Sequence, residues 1–266
     1  MDDIRVFDRD AVRLHRDRAA RSVDTVADVL RDAAERLLDR LDDTTRRFTH
    51  ALEVGGRGVV APLLRARGIE TVSADLSHAM VARNPPPRVV LDEEFLPFAP
   101  ASFDLIVASV SLHWVNDLPG ALIQMRRCLR PDGLFLASLP ALGTLAELRH
   151  ALSTTETESR GGVSPRVSPF AELRDCAHLL QRAGFHLPVA DIEEIRLLYA
   201  NPFDLVRDLR AAGETNAVRL RERRAPPRAL IPMALASLPA TDGRVPATLR
   251  MAVMTGWAPA EPAITA

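Results

Sequence analysis

Apolar residues recur at helical spacing from about residue 10 to 46, where leucine, valine and alanine sit among many Arg and Asp, and this predicts two amphipathic helices. The period then changes. Residues 48–54 form a short apolar run that ends in glycines and reads as a strand, and 59–67 returns to helical spacing and is closed by Gly68. Residues 70–74 predict a second strand ending at Asp75, Ser77 opens a helix that stops before the prolines at 85–87, and 89–91 is a third strand. Residues 103–109 are almost continuously apolar, as a strand covered by helices on both faces requires. A helix over 118–129, a turn at 130–133 and a strand at 134–139 complete an alternating series. Such alternation predicts an α/β fold, a mostly parallel, doubly wound sheet with right-handed crossovers.

The alternation weakens after Pro140. Helical spacing covers 143–158, a Gly/Ser/Pro-rich loop follows at 159–169, and a helix over 170–183 ends at Gly184. A strand at 189–199, a helix at 202–212, a basic stretch at 217–230 and a β-rich run at 246–257 follow, with the arginine-rich segment 219–224 expected as a solvated helix. The expected organisation is one domain over 1–257. Its parts are N-terminal helices (1–47), a ligand-binding core (48–140), and lid helices with C-terminal strands (141–257), seven strands in all. The Pro/Ala-rich tail 258–266 is expected to be disordered.

Composition narrows the function classes. The chain has 266 residues and a formal net charge of -1, so no overall field draws it to nucleic acid or anionic lipid. All positive side chains are arginine, which fits the codon usage of a GC-rich genome. Cys128 and Cys176 are the two cysteines, and with no C-x-x-C they indicate neither a disulfide framework nor a zinc site. No apolar run is long enough to span a bilayer, and Met1-Asp2-Asp3-Ile4 lacks the apolar core of a secretory signal. A bacterial cytoplasmic location is expected, with peripheral contact to the inner membrane open through the basic stretch.

Three local signals point to a nucleoside. Glu53-Val54-Gly55-Gly56-Arg57-Gly58 is a strand end followed by a glycine-rich turn, where the backbone can approach a ligand and aim N–H groups at it. Asp75 ends the second strand, where a carboxylate can accept from ribose hydroxyls; it could equally cap the helix at Ser77. Asp92-Glu93-Glu94, followed by Phe95-Leu96-Pro97-Phe98, offers an acceptor for the adenine amine beside an apolar wall. All three fall at the C-terminal ends of adjacent parallel strands, the edge at which open α/β sheets bind ligands. The expected cofactor contacts are therefore Glu53, Gly55, Gly56, Gly58, Asp75, Leu76, Asp92, Glu93 and Ser109.

These signals, with the strand Phe103-Asp104-Leu105, resemble the class I S-adenosylmethionine-dependent methyltransferase core. Longer runs resemble a narrower group: Leu112-His113-Trp114-Val115-Asn116-Asp117-Leu118-Pro119, Arg130-Pro131-Asp132-Gly133, Gly161-Gly162-Val163-Ser164-Pro165, Ser168-Pro169-Phe170 and Gly213-Glu214-Thr215-Asn216. That group is the complex I assembly factors with a methyltransferase fold and their alphaproteobacterial relatives, and the likeness runs from about residue 7 to 257. It implies S-adenosylmethionine as cofactor and the quinone-proximal iron–sulfur subunit of respiratory complex I as partner. The implied reaction is hydroxylation of an arginine on that subunit. The glycine turn departs from the group's acid-x-Gly-x-Gly-x-Gly pattern by one missing residue, so the pocket for the methionine end of the cofactor is expected to be reshaped.

Candidate catalytic groups are His113 and Trp114 after the fourth strand, and Glu156 and Glu158 before the glycine-rich loop. An indole can stack on a guanidinium, and paired carboxylates can hold one in a fork. A core tryptophan with a hydrogen-bonded histidine, and two exposed glutamates on a helix, are the structural alternatives. His15-Arg16-Asp17 is not expected to hold a metal, and no metal site is expected elsewhere. Two other functions stay open: methylation of a small-molecule carboxylate, as in biotin-pathway relatives, and a non-catalytic assembly chaperone.

Overall fold

The structure is a computed structural model and describes residues 5–260; the N-terminal tetrapeptide considered above lies outside this range. Seven strands form one sheet: β1 (His50–Val54), β2 (Glu70–Asp75), β3 (Arg88–Val90), β4 (Phe103–Ser109), β5 (Leu129–Pro140), β6 (His186–Tyr199) and β7 (Val245–Trp257). Their order is β3-β2-β1-β4-β5-β7-β6, with β1 to β5 parallel and β7 antiparallel to both of its neighbours. This is the Rossmann-like α/β sheet that the alternation predicts.

The continuous apolar reading of β4 has a direct cause. Leu105 and Val107 pack with Leu37, Leu38, Val60 and Leu64 on one face of the sheet, and Ile106 and Ala108 pack with Leu122, Met125 and Leu180 on the other. Successive strand residues point to opposite faces, and here both faces are core. The first face is covered by α2 (Ala27–Leu38) and α3 (Val60–Ala66), the second by α5 (Leu118–Cys128) and α7 (Leu173–Arg182).

Three further elements position the site. The helix α1 (Arg9–Ala19), capped by Asp8, lies against the short α4 (His78–Val81) at the C-terminal edge of β2. Across that edge, α6 (Ala146–Arg160), α8 (Pro202–Ala211) and α9 (Leu230–Ala236) form a separate apolar cluster with the start of β7.

Three local expectations are corrected, and one unassigned segment gains a helix. The turn at 130–133 belongs to β5, as an irregularity between the pairs Phe103–Leu129 and Leu105–Leu134, with Asp132 at φ 56. Residues 219–224 form no helix: the Arg219 amide bonds the Val6 carbonyl at 2.8 Å, Arg221 pairs with Asp8 at 2.9 Å and Glu222 pairs with Arg160 at 2.6 Å. That segment has no apolar stripe to bury, so partners on distant elements decide its course. Residues 230–236, which begin where the basic stretch ends and carry no expected element, form α9. The tail was expected from 258, yet Ala258 is buried and its amide bonds the Gly133 carbonyl at 2.8 Å; 261–266 lie outside the described residues. Among the described residues no helix is long and apolar enough to cross a membrane.

Candidate functional site

The glycine turn is tight enough to demand its composition. Gly55 has φ +72°, and a Cβ there would lie 2.4 Å from Cβ of Ser111; a Cβ on Gly56 would lie 2.3 Å from Glu53 Oε1. Glu53 is buried and accepts the Gly56 amide, and burial pushes its carboxyl up to about 8, so that it is protonated at neutral pH. Gly58 follows at φ +83°. Arg57, at φ 51°, folds back over the turn and donates to the carbonyls of Ala212 at 2.9 Å and Val110 at 2.9 Å, and to Glu214. The turn is therefore closed by its own arginine.

The acids predicted at the strand ends do converge. Asp75 accepts the Ser77 amide at 2.8 Å, while Ser77 itself caps α4 through the Met80 amide at 3.0 Å. The capping alternative thus belongs to Ser77. Asp92 and Glu93 follow β3; Glu93 is fully buried, and although burial would raise its carboxyl, Arg16 and Arg9 outweigh that and hold it below the usual range. Asp75 goes the other way: burial dominates and raises it, with Arg16 opposing. Leu76 is partly buried with the Phe7 and Trp114 cluster, and Ser109 is buried beside Ser138 in register on β5.

His113 and Trp114 lie in a single helical turn after β4, both buried. The residue that joins them was not singled out for a role in the sequence: Glu214 accepts from His113 Nε2 at 2.8 Å, from Trp114 Nε1 at 3.0 Å and from Arg57. Burial would raise Glu214, but His113 and Arg57 outweigh it and hold the carboxyl at about 2. His113 Nδ1 is left buried without a partner among the described residues.

Trp114 and Glu214 form part of the wall of a cavity of ≈ 180 Å³ beyond the C-terminal ends of β4 and β5. Its other walls include Leu148, Leu197, Leu209 and Met251, with Asp208 and Arg166 among the few charged groups. Tyr199 hydrogen-bonds Asp208, and burial with that contact pushes its phenol up.

Glu156 and Glu158 are not brought together. Glu156 is buried and holds the glycine-rich loop, accepting the Ser164 amide at 3.0 Å and Arg166 Nε at 3.1 Å, so it meets the cavity only through Arg166. Glu158 is exposed on α6. In the His15-Arg16-Asp17 string, His15 contacts the Thr215 carbonyl at 3.1 Å and Asp17 accepts from Ser77 and Ala79.

A strand order of 3-2-1-4-5-7-6 with a glycine turn after β1 and acids after β2 and β3 defines a class I S-adenosylmethionine-dependent methyltransferase fold. Residues 52–137 match the methyltransferase domain family. The chain is 40% identical to the human protein named arginine-hydroxylase NDUFAF5, mitochondrial, over 96% of this chain and 77% of that one. It is 32% identical to a malonyl-[acyl-carrier protein] O-methyltransferase of Methylovorus, over 97% and 91% of the two chains. A solved SAM-dependent methyltransferase from Methanosarcina mazei superposes with a TM-score of 0.53 at 11% identity, covering 84% of this chain and 98% of that one. The chain belongs to the arginine-hydroxylase NDUFAF5 family of methyltransferase-fold proteins.

S-adenosylmethionine is the cofactor of this domain, and the residues fit it chemically. Among the described residues Asp75 Oδ2 is buried without a partner, an acceptor suited to a ribose hydroxyl, and the glycines leave the backbone free to approach the methionine end. When bound, the cofactor supplies an activated methyl group. The protein's own contribution is placement: Asp75 would hold the ribose, the 92–94 acids the adenine side, and Glu53 the turn itself.

Proposed function

We propose that this protein acts in the assembly of respiratory complex I by modifying an arginine side chain of its quinone-proximal iron–sulfur subunit, by hydroxylation, in which dioxygen places one oxygen atom on the side chain and an external two-electron reductant with two protons carries the other away as water. The observation that carries the reading is likeness over nearly the whole chain to proteins named arginine-hydroxylase. The cavity supports it. An arginine side chain has an apolar stem and a cationic fork. The wall provides leucines and Met251 for the stem, the Trp114 indole for stacking, and Asp208 for the charge. In this reading His113 and Trp114 border the substrate, and Glu214 positions both.

The test is incubation of the chain with the iron–sulfur subunit in cell extract, followed by peptide mass spectrometry. A mass gain of one oxygen on a single arginine is expected. An unchanged subunit counts against the reading, and a gain of one methylene would make the protein an arginine methyltransferase. A second reading, methylation of a malonyl thioester carboxylate, rests on the Methylovorus relative. Labelled methyl transfer to that thioester, with none to protein, would favour it.

A further inference from the structure

The acids that suit the nucleoside are largely engaged by the protein itself: both Glu93 oxygens and Asp75 Oδ1 take donors from the chain, and Asp75 Oδ2 has no donor among the described residues but is buried. Arg16 of α1 is 0% exposed, and its NH1 donates to Glu93 Oε1 at 3.1 Å and to Asp75 Oδ1 at 3.4 Å. Arg9, one long step earlier on the same helix, donates to Asp92 at 2.7 Å, to Glu93, and to the Trp114 carbonyl at 3.1 Å. Asp17 pins the other side through Ser77 and Ala79. A ligand hydrogen-bonds Asp75 or Glu93 only by reaching their oxygens, and both residues are 2% exposed or less.

The closure is also polar and incomplete. Arg16 Nε and NH2 and Asp75 Oδ2 are all buried with no partner among the described residues, although each would be hydrated if α1 stood away. Buried groups that lose water without gaining a partner destabilise the docked state, so this contact is weaker than its burial suggests. By contrast, the apolar part of the α1 interface is made of small residues such as Ala11, Val12 and Ala19 with Phe7 alongside.

We propose that α1 is an intramolecular gate on the cofactor site: with Arg16 on Asp75 Oδ1 the remaining oxygen, Oδ2, is buried out of a ribose's reach, so α1 must release Arg16 before the nucleoside can bind. Glu93, held by both Arg9 and Arg16, is the latch that keeps the gate docked. The inference uses the cofactor assignment and holds whichever acceptor the protein modifies. Gating lowers apparent affinity by the fraction of molecules that are open.

The experiment uses the full chain and S-adenosylhomocysteine as probe. Calorimetry compares the wild type with Arg16→Met, and hydrogen exchange follows residues 9–19 of the wild type with and without the probe. Tighter binding by R16M is expected, about tenfold if the open population rises from roughly a tenth to nearly all, together with faster exchange in α1 when the wild type binds. Equal or weaker binding by a folded R16M would make Arg16 neutral or a cofactor ligand and overturns the proposal. Slower or unchanged α1 exchange in the wild type overturns it without recourse to the variant. Failure of both forms to bind the probe removes the cofactor premise, and the gate with it.

Discussion

Replacing Glu214 by alanine removes the one carboxylate that three buried donors share: Arg57, His113 Nε2 and Trp114 Nε1. Arg57 keeps its bonds to the Ala212 and Val110 carbonyls but loses its counter-charge while fully buried. Breaking a buried ion pair from one side costs about 3–5 kcal/mol. The same contacts hold Glu214 at about 2 against an ordinary 4.5, which at about 1.36 kcal/mol per decade favours the ionised over the neutral carboxyl by roughly 3 kcal/mol. Urea denaturation at pH 7 should therefore show a loss of about 3 kcal/mol or more for Glu214→Ala, with a melting temperature lower by at least ~6 °C. The pH dependence carries the sign. Because the folded carboxyl lies below its unfolded value, its stabilisation is complete above the unfolded value and is lost as pH falls toward 2. The gap between wild type and Glu214→Gln should thus narrow between pH 5 and pH 3. A loss for the alanine variant below about 1 kcal/mol, or a gap that does not change with pH, would refute the role of Glu214 as hub.

Glu53 should show the opposite limb. Its folded value of about 8 lies above the ordinary 4.5, so it stabilises the fold below that ordinary value, and the contribution falls as pH rises toward 8 by up to about 1.4 kcal/mol per pH unit. Glu53→Gln should flatten that decline in a urea series from pH 5 to 8. Gly55→Ala meets both Ser111 at 2.4 Å and a positive φ, and should lose about 2–4 kcal/mol by chemical denaturation, combining overpacking with left-handed strain. Glu156→Ala should make the loop 161–172 more sensitive to limited proteolysis, since the carboxylate holds Ser164 and Arg166. Glu158→Ala, on an exposed position, should change stability by less than about 0.5 kcal/mol.

Local pattern was enough for much of this protein. The alternation of strand and helix, the two-faced apolar run of β4, the glycines after β1 and the acids after β2 and β3 are all written in spacings of a few residues. Each is dictated by backbone geometry or by which side of an element faces the core, and so can be read without knowing what packs against it. The turn at 130–133 escaped because its Arg-Pro-Asp-Gly composition signals a turn, and α9 because seven residues interrupted by Pro232 are too short a periodic run; long-range pairing with β4 and packing in the α6–α8 cluster decided both.

The site depended on the fold. Glu214 lies about a hundred residues from His113 and Trp114, and only the approach of the segment after α8 to the end of β4 makes it their shared acceptor. The arginines of α1 look, in sequence, like any solvated helix face; burial of Arg16 between Asp75 and Glu93 is a property of where α1 docks. Glu156 reads as a candidate for binding an arginine substrate and instead binds the chain's own arginines. A residue's type fixes which charge it can offer, but its partner is chosen by chain segments far away in sequence, and only tertiary structure brings those segments together.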